Sequence, residues 1–190
     1  MPITKIAIFA SGAGTNAQKI IDYFRNNERV RVVLMVCNKP GAGVLDRAAA
    51  EKIPTLILEK ERFFRGDGYR DEIRATGTNL IVLAGFLWKI PSPLIQAYPK
   101  KILNIHPALL PKYGGKGMYG HFVHEAVIAA KEKESGISIH YVDDLYDHGQ
   151  VILQAKCPVE ETDTATTLAQ KVQALEHRHY PATIELVATL

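Results

Sequence analysis

Short runs rich in Ile, Val and Leu alternate with helix-patterned segments through the first half of the chain, and that alternation leaves few folds open. Residues 5–10, 30–37, 55–58, 79–84 and 101–105 read as strands that are apolar on both faces, the pattern of a buried parallel sheet. Between them, residues 16–25, 44–51, 69–75 and 92–97 carry apolar side chains at helical spacing. Strand–helix–strand units of this kind predict an α/β fold with a doubly wound, mostly parallel sheet and right-handed crossovers.

After Pro111 the texture changes. Residues 112–120 form a Gly-rich loop, 121–133 are helical, and 136–142 with 150–159 read as an antiparallel strand pair. Residues 143–149 between those strands are too many for a tight hairpin. The last helix starts near Thr164, with Asp163 or Thr164 as its N-cap, and carries Leu168, Val172 and Leu175. Pro181 is expected to kink or split it before residues 184–187. No repeat, low-complexity tract or linker interrupts the chain, so residues 1–190 are expected to form one domain with two functional halves, 1–100 and 101–190.

With 190 residues, 47% of them hydrophobic, the chain can bury a sizeable core. Its net charge of +3, from 23 basic and 20 acidic residues, is too balanced for a dedicated nucleic-acid binder but permits anionic small substrates. Cys37 and Cys157 sit in apolar strand-like runs without Cys-x-x-Cys spacing, which favours two buried thiols in a reducing compartment. Neither a leader-like start nor a membrane-length apolar run is visible, so a soluble, cytoplasmic protein is expected. Nothing in the periodicity separates monomer from homodimer.

Three motifs carry chemistry. Asn104-Ile105-His106-Pro107-Ala108-Leu109-Leu110-Pro111 closes the fifth strand. Two residues apart on extended backbone, the Asn104 amide and the His106 imidazole face the same side, at the rim where open parallel sheets bind ligands. The amide can donate to a developing oxyanion, and the imidazole can hold or pass a proton near neutral pH. A satisfied strand-end Asn and a surface His would leave the same trace. Ser11-Gly12-Ala13-Gly14-Thr15-Asn16 follows the first strand and opens the first helix, where small residues and unpaired N–H groups suit an anion. With Ala17 the run also fits the dinucleotide pattern Gly-x-Gly-x-x-Ala, but the second strand ends Cys37-Asn38-Lys39-Pro40, without the acid that would hold a ribose. A phosphate monoester fits better, and a ligand-free Gly-rich turn is the other reading. Asp147 ends the late loop: beside His106 it would raise the imidazole pKa and relay protons, and otherwise it is a solvated loop carboxylate.

Other candidates are thinner. His121 and His124 have helical ligand spacing, yet no cysteine or acidic cluster completes a metal shell, so no metal is expected. His177 and His179 flank Arg178 near a helix end, where they can simply answer the helix dipole. No Gly-x-Ser-x-Gly elbow or activated cysteine is present, so the nucleophile should arrive on the substrate.

Six motifs in one order carry a resemblance. They are Ser-Gly-x-Gly-Thr-Asn at 11–16, Leu83-Ala84-Gly85-Phe86, Asn104 to Pro111, Gly136-Ile137-Ser138-Ile139-His140, Asp147-x-Gly149-x-Val151-Ile152-x-Gln154 and Glu176-His177-x-x-Tyr180-Pro181. In them the chain resembles the folate-dependent formyltransferases, and within these the phosphoribosylglycinamide formyltransferases of purine synthesis. The resemblance spans nearly the whole chain. It implies formyl transfer from 10-formyltetrahydrofolate, as co-substrate, to the amine of glycinamide ribonucleotide, with Asn104, His106 and Asp147 catalytic. It makes 1–100 the phosphate-binding half and 101–190 the folate-binding and catalytic half. Gly14, Thr15 and Asn16 would cradle the phosphate, while Gln173 and Glu176 would hold the ribonucleotide and steer its amine. Arg65, Leu87, Trp88, Lys89, Ile90, Asn104, His140, Asp143 and Asp144 would meet the folate.

Three departures from the family pattern stand out. Residues 113–120 and 87–91 form longer loops than the family commonly has, and His148 replaces a small residue after Asp147. A related 10-formyltetrahydrofolate hydrolase and a non-catalytic nucleotide-binding module are the alternative functions. Methionyl-tRNA formyltransferase would need a further RNA-binding domain, for which the chain offers no segment.

Overall fold

A computed structural model describes residues 2–190. It divides into two compact units, the first running to Leu103 and including Ile184–Leu190, the second Asn104–Thr183. The fold is α/β, with a mostly parallel sheet and an antiparallel pair near its end.

In the first unit β1 (Thr4–Ala10), β2 (Val30–Cys37), β3 (Thr55–Ile57) and β4 (Leu80–Leu83) are followed by β5, which starts at Ile102, in the order β3-β2-β1-β4-β5. β1 runs parallel to both β2 and β4, and β2 runs parallel to β3. Ile6, Ala7, Ile8, Phe9 and Ala10 are all fully buried. This explains why β1 is apolar without alternation: a central parallel strand is covered on both faces. Because β2 lies on one side of β1 and β4 on the other, the C-terminal end of β1 is a switch point in strand order, where ligands of open α/β sheets collect.

The helices of this unit are α1 (Thr15–Phe24), α2 (Gly43–Ala50), α3 (Lys60–Arg65), α4 (Arg70–Ala75) and α5 (Ser92–Ala97). α1 buries Ala17, Ile20, Ile21 and Phe24, one stripe at i, i+3, i+4 and i+7. α3 is absent from the sequence reading. It is as long as α4 and α5, and its start is set locally: the Glu59 carboxylate accepts from the N–H groups of Glu61 and Arg62.

The second unit takes the end of β5 (Ile102–His106), then α6 (His121–Ala129), β6 (Glu134–Tyr141), β7 (Val151–Pro158) and most of α7 (Ala165–Ala188), with strand order β5-β6-β7. β6 and β7 are antiparallel, joined by a nine-residue connection, residues 142–150. α6 stops at Ala129 rather than running on to 133, and Lys131 beyond it adopts φ 53°.

Thr164 supplies the N-cap of α7: the Thr167 N–H donates to its hydroxyl (3.2 Å), and Asp163 supports the turn by accepting from the Thr167 hydroxyl at 2.8 Å. Pro181 does not split the helix, which is continuous to Ala188. Leu168, Val172 and Tyr180 before the proline, and Ile184 and Val187 after it, are buried, so packing on both sides outweighs the lost backbone bond. Replacing Thr164 by Ala is expected to lower stability by about 0.5–2 kcal/mol in denaturant titration. No change in midpoint would remove the capping role.

Candidate active site

β5 ends at His106, and the two side chains that alternation brings to one side there are both engaged within the second unit. His106 is only 4% exposed and donates from Nε2 to the Tyr113 carbonyl at 2.7 Å. A carbonyl can only accept, so Nε2 carries a proton and the ring's variable proton belongs to Nδ1. Nδ1 faces Asp147 Oδ2 at 3.5 Å. The other carboxylate oxygen of Asp147 lies 3.7 Å from His140 Nε2. Asp147 therefore sits between two imidazoles.

His140 lies on β6 and is buried. Its Nδ1 donates to the Tyr141 carbonyl (2.8 Å) and its Nε2 meets the Asn104 amide nitrogen at 3.1 Å. In the neutral ring Nε2 accepts one Asn104 N–H, which orients the amide and leaves its second N–H to donate elsewhere.

The backbone of residues 113–115 closes over this group. Tyr113 offers its carbonyl to His106, and the Gly115 N–H donates to Asp147 Oδ2 at 3.0 Å. A Cβ on Gly114 between them would stand 2.5 Å from Leu110 Cδ2 and 3.3 Å from Asp147 Cβ, so a larger residue would make the Leu110 side chain move. Tyr113 and Asp147 are non-glycine residues at φ 56° and 51°, a left-handed conformation that other contacts must sustain.

The loop after β5 is braced from the two following strands. Ser138, fully buried on β6, donates to the Ala108 carbonyl (2.7 Å) and accepts from the Leu110 N–H at 2.9 Å. Gln154, its partner across the β6–β7 ladder, donates to the Leu110 carbonyl and to the Ser138 hydroxyl. Gly136, Ser138 and His140 thus share one face of β6, opposite the buried Ile137 and Ile139. The alternation was visible in the sequence, but the bracing role of Ser138 and Gln154 was not read from it.

Electrostatics here depart from the sequence expectation. Asp147 does favour protonated His106, as does the bond to the Tyr113 carbonyl. Burial is the larger effect, however, and with the neighbouring His140 it brings the imidazole below its ordinary value rather than above it. For Asp147, burial pushes the carboxyl up, but a hydrogen bond from His140 when that ring carries its second proton, the charge on His106 and the Gly115 N–H together outweigh it and leave the carboxyl lowered. His124, buried on α6, is also lowered, by burial first and by the charge of His106 second, and its Nδ1 finds no hydrogen-bond partner among the described residues. His121 instead stacks on Phe122 with centroids 4.1 Å apart. No group of three or more His, Cys, Asp and Glu among the described residues could hold a metal.

On the late loop, Asp143 is half exposed and accepts from His148 Nδ1 at 2.9 Å, so the unexpected histidine ties its own loop together. Asp144 is exposed. Gln173 and Glu176 lie one turn apart on α7.

In the first unit, Gly14 is the N-cap of α1 at φ 75° and, as glycine, brings no capping side chain of its own. A Cβ on Gly14 would stand 2.5 Å from Val44 Cγ2, so the turn is closed to larger residues. Arg47 Nε donates to the Ala13 carbonyl (2.7 Å), and the Ser11 hydroxyl accepts from the Leu87 N–H at 2.9 Å. Gly14, Thr15 and Asn16 are therefore held as a preformed turn at the end of β1, suited to an anion. The 86–90 segment is only partly open. Leu87 is 55% exposed, Ile90 is buried, Lys89 is exposed, and Trp88 packs on Phe63 (5.7 Å between centroids) and Phe64 (5.4 Å). Arg65 pairs with Glu61 on the exposed side of α3.

As a whole the chain is similar to known proteins. A family model described as formyl transferase matches residues 4–184. Phosphoribosylglycinamide formyltransferase of Bacillus subtilis (strain 168) is 37% identical over 186 residues, covering 95% of this chain and 93% of that protein. The chloroplastic phosphoribosylglycinamide formyltransferase of Arabidopsis thaliana is 40% identical over 192 residues, which is 98% of this chain but 65% of that protein. This chain thus spans just under two thirds of the Arabidopsis relative. Glycinamide ribonucleotide transformylase 1 from Symbiobacterium toebii superposes with a TM-score of 0.90 at 32% identity, covering 98% of this chain and 88% of that one. Phosphoribosylglycinamide formyltransferase from Bacillus halodurans gives 0.86 at 36% identity, over 98% and 94%.

NMR titration of the His106 ring is expected to give a midpoint below the ordinary value near 6.5, and Asp147→Asn to lower it further by removing the charge that favours the imidazolium. A midpoint above the ordinary value, or an upward shift in Asp147→Asn, would contradict the dominance of burial. For stability the sign is the same for both groups. Each contributes above its unfolded pKa, and the contribution is lost as pH falls through its lowered folded value.

Proposed function

This chain belongs to the formyl transferase family, and from that premise we propose that it transfers the formyl group of 10-formyltetrahydrofolate to the amine of glycinamide ribonucleotide, a step of purine synthesis. The observation that carries this reading is the group of Asn104, His106, His140 and Asp147 at the end of β5, its two imidazoles buried, closed by the 113–115 backbone.

The chemistry follows from what those atoms can do. The substrate amine attacks the formyl carbon, forming a C–N bond and putting negative charge on the formyl oxygen. Asn104, fixed through one N–H by His140, donates the other to that oxygen. His106, when protonated, adds positive charge beside it, and Asp147 faces the nitrogen where its variable proton resides. Collapse breaks the bond to the folate nitrogen, which takes up the proton the amine gives away. His106 and Asp147 are the groups placed to move it. The preformed turn at Gly14, Thr15 and Asn16 suits the ribonucleotide's phosphate, and Glu176 with Gln173 suits its amine and ribose. Leu87, Trp88, Lys89 and Ile90, with Arg65, Asp143 and Asp144, are the candidates for folate contacts. Ile90 would contribute backbone rather than side chain, because its side chain is already buried.

The test is an assay of purified protein with both substrates, following tetrahydrofolate release with and without the ribonucleotide. Release that requires the ribonucleotide is expected; release without it would make the chain a hydrolase, and no release would overturn the reading. His106→Ala, Asn104→Ala and Asp147→Asn are each expected to lower kcat by roughly 10²–10⁴ with the fold retained. Near wild-type turnover in any of them would remove that residue's assigned role.

A further inference from the structure

Everything that reaches His106 and Asp147 from the 113–115 backbone depends on Tyr113 keeping a conformation it does not favour. Its φ of 56° lies in the left-handed region that a residue with a Cβ disfavours, and the loop that follows is rich in glycine. One side chain ties this stretch down from elsewhere. Glu132 stands just beyond α6, its N–H donating to the Val127 carbonyl at 3.3 Å. Its Oε1 accepts from the Tyr113 hydroxyl at 2.9 Å and from Lys112 Nζ at 2.9 Å. The two bonds differ in weight. Lys112 is 67% exposed, so that ion pair is worth little, whereas the phenol–carboxylate bond lies against a largely covered Glu132, 25% exposed.

The geometry points to Glu132 as a positioning residue: through the Tyr113 hydroxyl it holds the Tyr113–Gly115 backbone on the His106–Asp147 pair. The inference rests on the proposed reaction for its kinetic consequence, but not for its structural one. Glu132 touches neither reacting group. It acts through the carbonyl that fixes which nitrogen of His106 carries the permanent proton, and through the N–H that anchors Asp147. The charged and titratable groups bearing on His106 are Asp147, His140 and His124; those bearing on Glu132 are Lys112 and Tyr113. Because the Tyr113 carbonyl favours the protonated imidazole, loosening it lowers the His106 midpoint.

The experiment compares Glu132→Ala, Glu132→Gln and Tyr113→Phe with wild type, using steady-state kinetics, the pH profile of kcat, thermal unfolding and NMR titration of His106. Glu132→Ala and Tyr113→Phe are expected to lower kcat roughly tenfold, a cost typical of misplacing a group that is otherwise intact. KM for both substrates should stay within about twofold. In both variants the His106 midpoint should fall. Glu132→Gln should recover most of the loss, since its amide oxygen still accepts from the Tyr113 hydroxyl. An unchanged His106 midpoint in Glu132→Ala and Tyr113→Phe would overturn the inference, whatever happens to turnover or melting temperature. A shifted midpoint in a protein that transfers no formyl group would uphold the positioning role and overturn the proposed reaction.

Discussion

The competition between burial and charge at His106 governs the second unit. A nearly dry imidazole resists protonation, and a single carboxylate at 3.5 Å does not reverse that. The arrangement works only if neighbouring groups are placed closely, because in a medium of low polarity each misplaced donor or acceptor costs more than it would in water. The Tyr113 carbonyl, the Gly115 N–H and the His140–Asn104 contact are the placements that matter, and two of the three are made by backbone.

That dependence explains much of the surrounding structure. Ser138 and Gln154 use a cross-strand pair to hold the residues after His106, so the rigid ladder of β6 and β7 sets the course of a loop without regular structure. Gly114 suits the passage close to Leu110 and Asp147, where a larger residue would make the Leu110 side chain move. The first unit solves a different problem with the same economy. A fully buried β1 delivers a tight turn to the N-terminus of α1, where the helix dipole favours an anion without any cationic side chain in the first turn.

How much of this could be read in the sequence depended on range. The β1, β2, β4 and β5 runs were legible because burial on both faces leaves a continuous apolar run, and α1 because its one buried stripe leaves a periodic trace. Asn104 and His106 were legible because period-two geometry is local. Asp147 was named from the family resemblance, since no local pattern ties a loop aspartate to a strand forty residues earlier. α3 went unread although α4 and α5 are no longer than it, and Pro181 was overweighted because its local cost was visible while the buried neighbours that offset it were not. The direction of the His106 shift was misjudged for a related reason: a nearby carboxylate can be guessed from sequence, but the degree of desolvation cannot. The roles of the Tyr113 carbonyl and the Gly115 N–H had no side-chain signature at all.

The central claim is that the buried His106–Asp147 pair handles the proton in formyl transfer. It is tested most directly by measuring kcat/KM against pH in the wild-type protein and comparing its limbs with the NMR titration of His106 in the free protein. A limb that belongs to neither substrate and coincides with the His106 midpoint is the predicted result, because kcat/KM reports the ionisations of the free enzyme. A profile that stays flat while His106 titrates would contradict the account.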